Sequence, residues 1–143
     1  MALDAVVYRN PRNLPAHLKE RVIRNNESTE LLWRDDADGK TFGGNNLKAW
    51  HEHLGNIAMV AFLRKQVAEL FTNRETILLV KILYNGVHAG DWISPVEIAR
   101  LEGEVEELDS LTKDRQLQET SQFIVKMRNL ISAAKREESG IVF

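Results

Sequence analysis

Ser94-Pro95-Val96-Glu97-Ile98-Ala99-Arg100-Leu101-Glu102-Gly103-Glu104-Val105-Glu106-Glu107-Leu108 is the clearest local signal in the chain. Ser94 can cap the amide three residues on, and Glu97 can reach back to the Ser94 amide. Pro95 stands at the first helical position, where its missing N–H costs nothing. Ile98, Leu101, Val105 and Leu108 then recur at spacings of 3, 4 and 3 and make one apolar face. The sequence predicts a helix from about Pro95 to Leu108 with that face turned to a core.

Downstream, residues 109–115 form a polar connection. Leu117, Thr120, Ile124, Met127, Ile131 and Ala134 then predict a last helix, with Gly140 as its stop and Ile141-Val142-Phe143 as a terminal strand. Upstream, Thr76–Tyr84 is rich in Ile, Leu and Val and is followed by Asn85-Gly86, which predicts a buried strand and then a loop to Trp92. Leu47, Trp50, Leu54, Ile57 and Ala61, continued by Leu63, Val67 and Leu70, predict a helix capped by Asn45 or Asn46 and kinked or divided near Gly55. Pro15–Arg24, with Leu18 and Val22, reads as a short helix. Ala5–Tyr8 and Leu31–Trp33 read as strands, and Asp35–Gly39 as a turn. The predicted fold is α+β: one domain over residues 1–143, a single-layer sheet of three or four strands, and four or five helices mainly on one face.

Composition narrows the function. The chain has 143 residues, 43% hydrophobic and 28% charged, ordinary values for a globular protein. A domain of this size buries enough surface to stand without a metal or disulfide. Cysteine is absent, which excludes a disulfide scaffold, a thiolate zinc site and a cysteine nucleophile. A net charge of −2 argues against general nucleic-acid binding. The start, Met1-Ala2-Leu3-Asp4, has no basic region of the secretory kind, and no run approaches the 18 or so apolar residues of a membrane helix. The expected location is the cytoplasm, away from the membrane.

Chemical motifs are incomplete. Asp36, Asp38 and Gly39 fit part of a calcium loop, but Arg34 and Asn45 stand where that loop needs acids. Gly43-Gly44 is followed by Asn45-Asn46, not by the Lys-Ser or Lys-Thr of a phosphate loop. No Gly-x-Ser-x-Gly elbow is present. His51-Glu52-His53 would share a face and chelate on a strand; on the helix expected here the two imidazoles diverge. His88 lies near Asp91 and could make an acid–base pair. From Ile93 to Lys113, six acids stand against Arg100 and Lys113, a local charge of −4. That row is either the solvated side of an amphipathic helix or a surface that steers a basic partner.

The order of an apolar strand, a Gly90-Asp91-Trp92-Ile93-Ser94-Pro95 loop and an acidic helix with Glu97, Leu101, Glu102, Glu104 and Leu108 resembles the core of a family of small bacterial immunity proteins from polymorphic-toxin systems. The last helix and terminal strand are similar as well, so the likeness covers residues from 76 onward. It implies a non-catalytic protein, without cofactor or metal, that blocks a cognate toxin by direct contact. Toxins that attack nucleic acid are commonly basic, so acid on the inhibitor would speed association. The implied contact residues are Asp91, Trp92, Glu97, Glu102, Glu106 and Asp109. Two rival expectations are a phage or bacterial accessory protein and a small metal-dependent hydrolase using His51, His53 or His88. Histidines grouped with carboxylates in a cleft would favour the hydrolase.

Overall fold

Strand β1 (Ala2–Tyr8) buries Leu3, Ala5 and Val7 and turns Asp4 and Val6 the other way, so it has one core face and one outer face. The structure is a computed structural model that describes residues 2–86, 88 and 91–143. β1 pairs antiparallel with β5 (Lys48–Asn56) on one edge and with β7 (Ile141–Val142) on the other. β6 (Trp92–Ile93) joins β7, giving the order β5-β1-β7-β6. A second antiparallel sheet holds β2 (Val22–Arg24), β3 (Leu31–Arg34) and β4 (Thr41–Phe42).

Helices α2 (Ile57–Leu70), α3 (Ile98–Thr112) and α4 (Gln118–Glu137) cover the face that carries Leu3, Ala5 and Val7. Leu63, Val67, Leu101, Leu108, Phe123, Met127 and Leu130 fill the core between them. A smaller cluster of Tyr8, Leu14, Leu31, Leu47 and Val142, with Val6 and Trp33 against it, joins the second sheet to the outer face of the first. The fold class is α+β, with the helices of the core on one face, as the sequence predicts. The strands divide into sheets of four and three, where the sequence predicts one sheet of three or four. Among the described residues no helix is long and apolar enough to cross a membrane.

Three segments differ from the sequence expectation. Residues 48–56 form strand β5, not the first half of a long helix. The Leu47, Trp50, Leu54, Ile57 spacing mimics a helical stripe, yet Leu47 and Leu54 enter different core clusters and Ile57 is exposed. The true boundary is Gly55, at φ 151°, followed by Asn56, whose side chain accepts the Met59 amide at 2.9 Å and caps α2. Within residues 76–84, expected as a strand, the chain is helical instead: Ile77 leads into a π-helical turn over Leu78–Ile82. The segment expected as a helix from Pro15 to Arg24 is one turn, α1 (Ala16–Lys19), and then β2, because Val22–Arg24 finds a hairpin partner in β3.

Candidate functional site

The Ser94–Glu97 capping box forms as the sequence predicts and leads through a 3₁₀ turn into α3. Glu97 accepts from the Ser94 amide at 3.1 Å and from its hydroxyl at 3.0 Å. Its other oxygen takes Lys81 Nζ at 2.6 Å. Burial pushes the Glu97 carboxyl upward, but the hydrogen bonds from Lys81 and Ser94 prevail and hold it below its ordinary range.

The rest of the acidic row is matched from neighbouring elements. Glu102 pairs with Lys135 at 3.0 Å. Glu106 and Asp109 share Arg128 at 2.8 and 3.0 Å. The hydrogen bond from Arg128 holds the Glu106 carboxyl below its usual range. Glu107 is bonded to Arg74. Glu104 is buried and accepts backbone amides of Ile77 and Leu78. The acids that the sequence shows as a row are thus neither a bare solvated side nor an unopposed negative field. Glu102, Glu106 and Asp109 lie along the flank of α3 that meets α4.

Asp91, Trp92 and Glu97 come together elsewhere. Trp92 and Asp91 line an open cleft of about 400 Å³ with Val80, Lys81 and Tyr84, and Lys81 carries Glu97 to its edge. Trp92 is 38% exposed, while the next residue of β6, Ile93, is fully buried and anchors the strand. Val80 in the cleft is exposed, as is Val96 in the turn that follows β6. Tyr84 donates to the Asp91 carboxylate, and that bond holds its phenol above the ordinary range. The Asp91 carbonyl accepts the Phe143 amide at 2.9 Å, so the loop end is pinned to the chain terminus. Gly90, which opens the loop of the family resemblance, lies outside the described residues.

The histidines are placed differently from expectation. On strand β5, His51 and His53 share the outer face with Asp4 of β1. Asp4 Oδ1 lies 2.9 Å from His53 Nδ1 and 3.6 Å from His51 Nε2. All three side chains are about half exposed on the sheet surface. Each imidazole turns a nitrogen to the carboxylate, and no group of three or more potential ligands among the described residues is arranged to hold an ion. The expected His88–Asp91 acid–base pair is replaced: Asp91 accepts from Tyr84, and the His88 ring packs 4.2 Å from the Tyr84 ring.

Sequence reasoning missed the outer side of α2. Ile57 is 63% exposed and Phe62 44%, with Met59 beside them. The available signal was seven consecutive apolar residues, Ile57–Leu63, which run around a helix that buries only one side. Compared with protein families, with curated proteins and with solved structures, the chain has no match.

Proposed function

We propose that the protein is a non-catalytic binding protein that neutralises a protein partner by contact through the Trp92 surface, in the manner of the immunity proteins that residues 76–143 resemble. The observation that carries this reading is the half-open Trp92 sharing a cleft with exposed Val80, on a strand held by the buried Ile93. An apolar centre with tryptophan as anchor, rimmed here by the Tyr84–Asp91 and Lys81–Glu97 pairs, is the make-up of an interface hot spot. The partner is a bacterial toxin whose active site or substrate surface the protein covers. Asp91, Trp92 and Glu97 make the central contact, and Glu102, Glu106 and Asp109 form a flank whose charge Lys135 and Arg128 largely balance. Affinity therefore rests on apolar contact more than on charge steering.

The test begins with the neighbouring genes: the reading expects a secreted protein with a variable C-terminal domain encoded beside this chain, and that domain is the binding partner to assay. The wild type should bind that domain and protect cells that express it. Trp92→Ala should weaken binding about 30-fold or more, the effect of losing a hot-spot residue of about 2 kcal/mol. Its circular dichroism should stay that of the wild type. Unchanged affinity in Trp92→Ala would move the contact away from this surface.

A further inference from the structure

A second cavity, of about 310 Å³, runs along α2 on the other side of Tyr84. Its long wall is Ile57, Val60, Ala61, Arg64, Lys65 and Ala68, a single side of the helix at i, i+3, i+4, i+7, i+8 and i+11. Leu3 of β1 and Leu83 face it. The volume falls at the lower end of small-molecule sites, roughly 300–1,000 Å³. An α-helix, about 10 Å across with its side chains, overfills it.

The lining is polarised along its length. The end at Ile57, Ala61 and Leu3 is apolar, and Ile57 keeps most of its surface in water. One to two turns further on stand Arg64 and Lys65, about 10 Å from Ile57 at 1.5 Å per residue. Among the described residues no carboxylate lines the cavity. Arg74, Lys81, Arg128 and Lys135 each hold a glutamate of the α3 region, whereas Arg64 and Lys65 have no ion pair among the described residues. A cavity with an apolar end and two unopposed cations complements a ligand of the same polarity. We propose that this groove binds a small single-chain anionic amphiphile, its aliphatic body against Ile57, Ala61 and Leu3 and its carboxylate between Arg64 and Lys65. The site is separate from the Trp92 surface and stands or falls without it.

The probe is decanoate, kept below its micelle concentration and titrated into ¹⁵N-labelled full-length protein. The expected result is saturable shifts confined to residues 2–3, 57–68 and 83–86. Decanol and decyltrimethylammonium should bind at least tenfold more weakly. The double variant Arg64→Glu, Lys65→Glu should lose at least tenfold in decanoate affinity with its melting temperature kept. Ala61→Trp, which fills the apolar end, should lose binding while both cations remain. Decanol binding as tightly as decanoate, full affinity in the charge-reversed variant, or shifts spread over other surfaces each overturns the proposal. So does a response to anionic vesicles or to an acidic amphipathic peptide with none to free decanoate.

Discussion

Glu104 lies on α3 with a carboxylate oxygen 3.0 Å from the backbone amide of Leu78. Its other oxygen accepts the Ile77 amide, also at 3.0 Å, and Thr76 Oγ1 takes the Leu79 amide at 3.2 Å. The first amides of a helical segment have no partner within the helix, so a buried start needs acceptors from outside. Here a buried acid from another helix supplies two of them, and Arg100 Nε, 3.4 Å away, balances its charge. Glu104→Leu leaves two buried amides without acceptors and should cost about 2–4 kcal/mol in chemical denaturation. Glu104→Gln keeps one acceptor and should cost less. Hydrogen exchange at Ile77 and Leu78 should quicken in both. An unchanged midpoint in Glu104→Leu would remove Glu104 from the account of this segment.

That contact also explains why residues 76–84 misled the sequence reading. Their Ile, Leu and Val content is that of a strand, and the acid that caps them as a helix lies 26 residues away from Leu78. β5 was hidden for a related reason: its partner β1 is remote, and Leu47, Trp50 and Leu54 fall at helical spacing although they serve a strand. An element whose start is set locally was legible: α3 from Ser94-Pro95-Val96-Glu97. The end of α4 was not read at the right residue, because Glu138, in the left-handed region at φ 51°, caps it in place of Gly140. For the site, the Asp91-Trp92 pair was legible as a motif. The ion pairs of Glu102, Glu106 and Asp109 were not, because Lys135 and Arg128 belong to a different helix.

Two glycines should respond in opposite directions. A Cβ on Gly140 would lie 2.0 Å from the Ile93 carbonyl oxygen, inside the pairing of β6 with β7. Gly140→Ala must push these strands apart and should lower stability by several kcal/mol, on the scale of overpacking a core. Gly103, in the interior of α3, has nothing within 4 Å of its Cβ position. Gly103→Ala should raise stability by about 0.5–1 kcal/mol. Thermal melts of the two variants check both signs, and a stable Gly140→Ala would contradict the tight β6–β7 approach.

Acid should loosen the α3 region first. The carboxyls of Glu97 and Glu106 are held below their ordinary value of 4.5 in the folded protein. A group whose folded value is depressed contributes stability that is present above its unfolded value and lost as pH falls through the folded one. Stability should therefore be flat near neutrality and decline from about pH 4.5 downward. Glu97→Gln removes one of these groups and should make the decline shallower. A variant with an acid limb as steep as the wild type would show that other carboxyls govern it.

Asp4, His51 and His53 are the residues that decide between a metal-dependent reading and a binding one. Strand β5 brings both imidazoles to the same side, which is the arrangement a chelate needs. The carboxylate between them, however, already engages His53 Nδ1 at 2.9 Å and lies 3.6 Å from His51 Nε2, which makes the trio a polar cluster on an open sheet face. Exposed pairs of this kind contribute roughly 0–1 kcal/mol. Asp4→Asn should accordingly change stability by no more than about 0.5 kcal/mol, the usual range for surface substitutions. Zinc added to the chelator-treated protein should leave the melting temperature where it was, since metal that binds the folded state raises it. A rise of several degrees with zinc, abolished by His53→Ala, would turn this cluster into a metal site and return the hydrolase reading to first place.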